Sequence, residues 1–438
     1  MDTLMSLLGI VVLLLIAFLL SNNKKAINFR TVLGALAFQI GIGALILYVP
    51  AGRDALLAAS EGVSKVIGYG NEGINFLFGG LVSDKMFEVF GGGGFVFALR
   101  VLPPIIFVSA LISVLYYLGI MQIVIKLIGG ALQKVLGTSK AESMSAAANI
   151  FVGQTEAPLL VKPYIKSMSN SELFAVMCGG VASVAGAVMI GYSQMGVPLP
   201  YLIAASFMAA PGGLLFAKIL HPQTEPFKDE LSADDIEEKP SNVIEAAAVG
   251  AFSGMQLAMN VGAMLLAFIA LIAMLNGFIG WAAHFITLPK TAEQSLMEYF
   301  FSSDPSVTLQ YLLGYIFQPL AWVIGVPWGE EAKVAGSLIG QKLVVNEFVA
   351  YVDFANYLKP EAAVALSDKT IAIITFALCG FANLSSIAIL IGGLGAMAPN
   401  RRSDVARMGI KAVAAGTLSN LMSAAIAGLF IGIGGAVL

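Results

Sequence analysis

A single carboxylate stands inside an apolar part of this 438-residue chain, within the string GQTEAPL at 153–159. Glu156 follows an amide and a hydroxyl side chain, Gln154 and Thr155, and comes two residues before Pro158. These three side chains offer hydrogen-bond donors and acceptors at one place. A charge placed in hydrocarbon costs about 2.5–3.5 kcal/mol on insertion scales, so such a carboxylate indicates a functional site.

Other polar residues in apolar surroundings fall into two separate regions. The first region adds Asn149 and Ser183, and the second holds Asn346, Glu347, Asn383, Ser385 and Ser386. Asn383 and Ser386 are three positions apart, so they share a face if the helix continues through them. The set combines two carboxylates with neutral hydrogen-bonding groups and includes no cluster of Arg or Lys. It therefore predicts a neutral polar ligand rather than a phosphate or a dicarboxylate.

Each of these residues also has a simpler interpretation, which the sequence leaves open. Glu156, beside Thr and Pro at a helix start, can serve only as a cap for the helix N-terminus. Asn346 and Glu347 can cap a helix or face a vestibule. Ser183 and Ser385 are of the kind that more often packs helices together or bonds back to the helix backbone.

The composition is that of a membrane protein. The chain is 58% hydrophobic and 12% charged, and its mean hydropathy is +0.87. A net charge of −3 with no basic patch argues against nucleic acid binding. Cys178 and Cys379 both lie in apolar runs, which excludes a disulfide framework and a C-x-x-C metal site.

Apolar segments long enough to cross a bilayer predict eight transmembrane helices. They lie at about 4–20, 31–49, 99–119, 173–192, 197–219, 261–281, 369–397 and 409–434. The basic residues that follow spans one, three and seven are cytoplasmic if both termini lie outside. The first span lacks the basic region of a cleaved signal peptide, since its lysines follow the apolar run.

Three further segments complete the predicted organisation. The acidic loop 225–241 is expected to be a solvated linker, because acidic residues hardly count in the orientation rule. Residues 243–260 are too polar for a confident span, so we expect an interfacial helix that runs into span six.

Two segments, 142–168 and 308–350, have Gly and Pro at their centres and apolar halves on either side, which is typical of re-entrant hairpins. Each hairpin is followed by a similar string, MCGGVAS at 177–183 and LCGFANLSS at 378–386. Three predicted spans lie between the hairpins, an odd number of crossings, so the repeats would be inverted. Broken helices at the interface of inverted repeats hold the substrate in many secondary transporters.

Motifs of enzymes are missing. The sequence contains neither G-x-S-x-G nor H-E-x-x-H, and its two histidines lie near span ends. We therefore predict no enzymatic activity and no organic cofactor. An intramembrane enzyme with the two glutamates as acid and base, and a passive channel, stay as weaker alternatives.

Three strings now carry a family resemblance: GQTEAPL at 153–159, NEFVAY at 346–351 and GFANLSSIAIL at 380–390. They resemble the hallmark strings of the concentrative nucleoside transporter family, in the same order and over essentially the whole chain. The resemblance implies an all-α polytopic protein with eight transmembrane helices, two re-entrant hairpins and inverted repeats, working as an elevator-type homotrimer. It also implies import of nucleosides, uridine-like ones among them, across the bacterial inner membrane, with both termini periplasmic.

The resemblance further divides the chain into scaffold and transport parts. Residues 1–120 and 243–290 would form the scaffold, and residues 121–242 and 291–438 the two repeats of the transport domain.

Site residues follow from the same resemblance. Gln154, Thr155 and Glu156 match nucleobase contacts, while Glu347, Asn383 and Ser386 match ribose contacts. Phe381, Met259 and Val188 match the pocket wall, although the family often has leucine where Met259 stands.

The resemblance also implies a site for the co-transported ion. Asn149, Val152, Ser183 and Val184 match a sodium site built from two side chains and two backbone carbonyls. Proton-coupled relatives lack the matching asparagine, so sodium is favoured over proton coupling, the alternative in which Glu156 or Glu347 carries the proton.

Overall fold

The structure of the chain is a computed structural model that describes residues 2–90, 94–227, 240–287 and 307–435. Across these ranges the chain is helical and forms no strand, as expected of an all-α membrane protein. The α-helices up to residue 148 are α1 (Asp2–Leu20), α2 (Phe29–Leu47), α3 (Pro50–Phe78), α4 (Lys85–Phe90), α5 (Phe97–Arg100), α6 (Leu102–Tyr117), α7 (Ile120–Leu136) and α8 (Lys140–Ala148).

The later helices are numbered on in chain order. They are α9 (Lys162–Ile165), α10 (Asn170–Ala182), α11 (Gly186–Gln194), α12 (Leu199–Leu220), α13 (Val243–Thr287), α14 (Leu309–Val323), α15 (Glu330–Val344), α16 (Glu347–Tyr357), α17 (Asp368–Leu378), α18 (Ser385–Met397) and α19 (Arg402–Gly434). Short 3₁₀ helices lie at 24–26, 79–82, 157–161 and 399–401. Most of the predicted acidic linker, residues 228–239, lies outside the described residues.

Seven helical stretches in the described ranges are long and apolar enough to cross a membrane. They coincide with seven of the eight predicted spans. The remaining predicted span, 369–397, is divided into α17 and α18 by the non-helical residues 379–384. The predicted span at 173–192 is also interrupted, at residues 183–185 between α10 and α11. Both interruptions fall at the related strings MCGGVAS and LCGFANLSS.

The expected interfacial helix at 243–260 is not a separate element. Residues 243–287 form one continuous helix of 45 residues, α13. At 1.5 Å per residue it is about 67 Å long, roughly twice the thickness of a bilayer's hydrocarbon core. Its first half, 243–260, runs into span six as expected and packs along α6, while its position at the membrane interface stays a prediction.

Small residues allow α13 and α6 to approach closely. A Cβ added at Gly250 would lie 2.7 Å from the Ser109 carbonyl oxygen, and one at Gly254 would lie 2.8 Å from the Ile106 Cα. The hydroxyl of Ser113 donates a 2.7 Å hydrogen bond to the Ala246 carbonyl. This is the small-xxx-small mode of packing that membrane helices use, because lipid offers no hydrophobic drive to bring helices together.

The remaining early helices pack elsewhere. Helices α1 and α2 contact α12 and α19, and the Gln39 amide of α2 donates to the Ser423 hydroxyl of α19 at 2.9 Å. The predicted division placed α1 and α2 with α6 in one scaffold part. In the structure α1 and α2 pack against helices of the predicted transport domain, and the division into scaffold and transport parts stays a prediction.

Two pairs of helices form helical hairpins. In the second pair, α14 and α15 pack along each other around a turn that contains Gly329, whose φ of +131° is one that L side chains rarely adopt. In the first pair, α7 and α8 pack together around Gly137, which has φ of +66°. The first hairpin thus includes α7 and starts before the predicted residue 142. The GQTEAP string follows this hairpin as a non-helical segment, 149–156.

Capping boxes fix the starts of two helices in the predicted first repeat. Ser139 and Glu142 form a capping box at α8, and Ser169 and Glu172 form another at α10. In each box the serine accepts from the glutamate's backbone N–H and the glutamate accepts from the serine's, so two free donors are satisfied. The two S-x-x-E strings therefore set where the helices on both sides of GQTEAPL begin.

The contact between α6 and α13 gives a first prediction. Gly254→Ala would place a Cβ 2.7 Å from the Ser109 Cβ, so we expect a loss of stability of about 1–3 kcal/mol from overpacking. Gly277→Ala on the same helix meets no atom within 4 Å and should gain up to about 1 kcal/mol of helix propensity. Thermal unfolding in detergent measures both. Equal melting temperatures for the two variants would contradict this account of the packing.

Candidate functional site

The two interrupted helices meet at their breaks. The backbone N–H of Phe381, between α17 and α18, donates to the carbonyl of Ser183, between α10 and α11, at 3.1 Å. The side-chain amide of Asn420 on α19 donates to the Ala182 carbonyl at 2.6 Å and to the Cys379 carbonyl at 2.9 Å. Helix ends leave backbone carbonyls without partners, and these bonds satisfy one at the end of each helix. The predicted repeats are therefore joined where each is broken.

The residues predicted to contact ribose form a hydrogen-bonded cluster. The Glu347 carboxylate accepts from the Asn383 amide at 2.8 Å and from the Tyr192 hydroxyl at 3.4 Å. The Asn383 side-chain oxygen accepts from the Ser386 backbone N–H at 2.9 Å and from the Ser385 hydroxyl at 2.7 Å. All of these except Ser385 are buried. The cluster joins the start of α16, the break before α18 and helix α11.

Gln154 links the GQTEAPL string to this cluster. Its amide nitrogen lies 3.4 Å from the Ser386 hydroxyl, while its amide oxygen is buried with no hydrogen-bond partner. Thr155 and Glu156 are exposed, and the Thr155 side chain lies beside Gly393 of α18, where an added Cβ would approach it to 3.1 Å. The three predicted base contacts thus extend from the buried cluster to an open surface.

The capping alternative for Glu156 can be compared with the geometry. Glu156 occupies the N-cap position of the 3₁₀ helix at 157–161, but its side chain makes no capping bond there. Its carboxylate accepts instead from the backbone N–H of Gly153 at 2.9 Å, and the Gly153 carbonyl accepts from the N–H groups of Glu156 and Ala157. Glu156 closes the turn at GQTE rather than capping the helix that follows. Asn346, in contrast, does cap α16 by accepting from Val349 N–H at 2.9 Å.

The three predicted wall residues are not placed alike. Phe381 is partly buried, and its carbonyl accepts from the Ser386 hydroxyl at 2.5 Å. Val188 is buried on α11, the helix that also carries Tyr192. Met259 is 63% exposed on α13 and so is not packed into the cluster. Its role in the pocket wall stays a prediction.

The predicted cation ligands lie in the two non-helical segments of the first repeat. Asn149 is buried against Gly179, where an added Cβ would lie 3.1 Å from its amide nitrogen. The Gly179 carbonyl accepts from the Ser183 hydroxyl at 2.9 Å, so Asn149 and Ser183 both contact the same turn of α10. Val152 and Val184 are buried nearby in sequence, outside the helices.

One atom of this set fits a cation in particular. The Asn149 amide nitrogen donates to the Ser145 carbonyl at 2.9 Å, which leaves its side-chain oxygen buried without a hydrogen-bond partner. A buried acceptor without a partner is costly, and a bound ion would supply the missing partner. Neutral amide, hydroxyl and carbonyl oxygens are suitable ligands for a hard monovalent cation. Over the described ranges, no group of three or more His, Cys, Asp or Glu residues could hold a transition metal.

Sequence reasoning missed three residues that complete this region. Lys342 is buried and donates to the Asn420 side-chain oxygen at 2.6 Å and to the Ala377 carbonyl at 2.8 Å. Tyr192 contacts Glu347, as given above, and Asn420 bridges the breaks. A lysine in the apolar run LIGQKLVV and an asparagine in the last span were the available signals.

An open cavity of about 680 Å³ lies apart from this cluster, between the end of α3 and the end of α11. Its lining includes Asn71, Asn75, Arg100 and Gln194, and it includes none of the predicted site residues. The cavity is therefore separate from the hydrogen-bonded cluster.

Comparison with known proteins places this geometry in a family. A family model described as Na⁺ dependent nucleoside transporter C-terminus matches residues 201–428, and its N-terminal counterpart matches residues 8–81. A third model, described as nucleoside recognition, matches residues 98–199. Together these models extend over most of the chain and over both helix breaks.

Relatives and solved structures agree with these matches. The chain is 55% identical to the nucleoside permease NupC of Helicobacter pylori, with 99% of each protein covered. It is 36% identical to the sodium/nucleoside cotransporter 1 of Mus musculus, covering 98% of this chain and 64% of that protein.

A solved structure of CNTnw in an inward-facing substrate-bound state is 66% identical, with a TM-score of 0.92 over 100% of this chain and 99% of that one. The chain therefore belongs to the concentrative nucleoside transporter family, a family of multi-pass membrane transporters rather than enzymes.

Proposed function

We propose that this protein is a sodium-coupled symporter that imports nucleosides by alternating access. The observation that carries the proposal is the hydrogen-bonded cluster of Glu347, Asn383, Ser386 and Gln154, placed directly against the segment that holds Asn149. A ligand site and a cation site on adjoining helix breaks are the arrangement that coupled transport requires. The cotransporter 1 of Mus musculus, named for sodium and nucleoside, supports the same coupling.

The chemistry of the cluster suits a nucleoside. A ribose diol presents hydroxyl groups that Glu347 can accept from, while Asn383 and Ser386 both donate and accept. Thr155 and Glu156 are exposed beside the buried Gln154, so a base edge would meet an amide, a hydroxyl and a carboxylate there. The buried Lys342 is already bonded to Asn420 and Ala377, so it offers no free charge to a phosphate or a carboxylate ligand.

Sodium would be bound by the Asn149 side-chain oxygen, the Ser183 hydroxyl and the carbonyls of Val152 and Val184. Its binding would order the segment 149–156 and so orient Gln154 and Glu156 toward the base. Inward flow of the ion supplies about 2.3 kcal/mol per charge for each 100 mV of membrane potential. Because coupling is reciprocal, a nucleoside would tighten sodium binding by the same factor.

The larger architecture is proposed along the same lines. The two helical hairpins would be re-entrant, and the repeats that follow them would be inverted. An elevator-type movement would carry both repeats together with α1 and α2, which pack on α12 and α19. These parts would move against a scaffold built on the pair α6 and α13. We propose that the scaffold forms a homotrimer in the bacterial inner membrane, with both termini periplasmic.

Transport itself gives the central prediction. Proteoliposomes loaded without sodium should accumulate labelled uridine above the external concentration when sodium is added outside. Replacing sodium with choline should abolish the accumulation. Uptake that ignores sodium and follows a pH gradient would show proton coupling instead, and equilibration without accumulation would show a passive channel.

The cation site gives a second prediction. Asn149→Ala removes the buried side-chain oxygen, so the sodium concentration for half-maximal uptake should rise at least roughly tenfold, equivalent to about 1.4 kcal/mol. Asn356→Ala is a matched control, because Asn356 is exposed and its side chain bonds to Lys359 and Asp353 rather than to either helix break. An unchanged sodium requirement in Asn149→Ala would remove this residue from the ion site.

The ribose contacts give a third prediction. Glu347→Gln keeps the side-chain shape but removes the charge, and a hydrogen bond to a charged group contributes about 1.5–3 kcal/mol. The Kd for uridine should therefore rise roughly 10- to 150-fold.

The Kd for 2′,3′-dideoxyuridine should change little, because that analogue lacks the diol. Exposed Glu361→Gln serves as the control. Equal effects on the two ligands would place Glu347 away from the ribose.

A further inference from the structure

Asn420 contacts both helix breaks and Lys342 contacts Asn420. The proposed binding of nucleoside and sodium uses neither residue. Lys342 stands near the end of α15, and Asn420 lies in the middle of α19. Each is 2% exposed. A buried lysine is costly unless its charge is compensated, and here the partners are neutral: the Asn420 side-chain oxygen and the Ala377 carbonyl near the end of α17. That carbonyl end of a helix carries partial negative charge, which favours a cation.

The lysine fixes the orientation of the asparagine amide. An ammonium group only donates hydrogen bonds, so the Asn420 oxygen must face Lys342 and its nitrogen must face away. The two hydrogens on that nitrogen are then directed at the carbonyls of Ala182 and Cys379, at 2.6 and 2.9 Å. Lys342, which only donates, and the two carbonyls, which only accept, therefore hold the Asn420 amide in the same orientation.

The close packing around this bridge leaves it little freedom. A Cβ added at Gly380 would lie 2.2 Å from the Asn420 side-chain oxygen, so only glycine fits beside the amide. One added at Gly416, a turn earlier on α19, would lie 2.7 Å from Val181 Cγ2 and 3.1 Å from Ala382 Cβ. Helix α19 thus contacts both breaks at once, and a displacement of one break displaces the other.

The bridged carbonyls adjoin both proposed sites. Ala182 immediately precedes Ser183, the proposed sodium ligand, and Cys379 stands two residues before Phe381. The Ser183 carbonyl accepts from the Phe381 N–H, and the Phe381 carbonyl accepts from Ser386. The peptide groups on both sides of Ser183 are therefore held by the second repeat, through Asn420 on one side and Phe381 on the other.

We propose that Lys342 and Asn420 are positioning residues that couple the cation site to the nucleoside site. Sodium bound at Ser183 fixes the Ala182 carbonyl, the Asn420 amide carries that constraint to Cys379, and residues 381–386 are then held in the geometry that binds ribose. The inference rests on the proposed sodium–nucleoside symport. It assigns the coupling to two residues that contact neither ligand.

The test compares the nucleoside Kd with saturating sodium and with choline, by calorimetry on purified protein, in the parent, Lys342→Met and Asn420→Ala. The parent should show a ratio within the range of about 5- to 150-fold that is typical of coupled sites. In both variants the ratio should fall below about twofold while the sodium-free Kd stays within about threefold of the parent's, because neither residue touches the nucleoside. A merely structural loss would weaken binding in both salts alike.

Ser423→Ala is the matched control for lost stability. Ser423 lies on α19 one turn after Asn420, and it bonds to Gln39 of α2 instead of to the breaks. This variant should keep the ratio of the parent. If Lys342→Met and Asn420→Ala also keep it, the coupling role is overturned while the proposed symport stands. A parent ratio near one would overturn sodium coupling itself, and the inference with it.

A second measurement uses a single cysteine variant that keeps Lys342 and Asn420, so it does not depend on whether the Lys342 and Asn420 variants fold. Cys178 and Cys379 are both free and buried, and the Cys379 carbonyl is held by Asn420. In a Cys178→Ala background, sodium without nucleoside should slow thiol modification of Cys379, because it holds the bridge closed. Modification at the same rate in sodium and in choline would overturn the inference.

Discussion

An interrupted helix inside a membrane must find partners for every backbone group that the interruption frees, since hydrocarbon offers none. This constraint governs the whole arrangement around residues 183–185 and 379–384. The two breaks are placed against each other, so that Phe381 N–H satisfies Ser183, and Asn420 satisfies the last carbonyls of α10 and α17. The polar groups that we propose bind ligand can remain in the membrane because the backbone beside them is already satisfied.

The same constraint explains why the functional residues come from such distant parts of the chain. Each repeat supplies one break, and neither break could exist alone at that depth. Gln154 reaches Ser386 across 232 positions, and Tyr192 reaches Glu347 across 155. A ligand that bridges these side chains would therefore contact both repeats. A movement of one repeat would then change the position of the ligand relative to the other. The proposed coupling between ion and nucleoside would need no structural element beyond the crossing itself and the residues that hold it.

Much of this could be predicted from the sequence, because it depends on local composition. Seven spans lie where the sequence has long apolar runs. The two breaks and the segment around Glu156 lie where Gly, Pro or polar residues interrupt such runs. The clustering of Glu347, Asn383 and Ser386 followed from the three hallmark strings, and their contact in the structure agrees with it, while their roles toward a ligand stay predictions. The capping boxes at Ser139 and Ser169, which were not predicted above, also have a local signal, the string S-x-x-E.

What the sequence could not supply were partners set by tertiary packing. Lys342 and Asn420 are 78 positions apart, and nothing local indicates that one orients the other. The polar composition of residues 243–260 suggested an interfacial segment. Their contact with α6 depends on tertiary packing, which the local composition does not indicate. The first hairpin's other arm, α7, was missed for a similar reason: its pairing with α8 depends on the Gly137 turn and on contacts along both helices.

The length of α13 has a consequence for the protein's relation to its lipid. Large apolar side chains stay exposed along nearly the whole helix, from Ile244 and Phe252 to Leu266 and Phe278. A helix of about 67 Å cannot match a hydrocarbon layer of about 30 Å while upright, so it must tilt steeply, extend along the interface or thicken the lipid around it. Any of these makes the angle of α13 depend on bilayer thickness. Because α6 is joined to α13 at Gly250 and Gly254, membranes of different thickness would set the tilt of that helix pair differently.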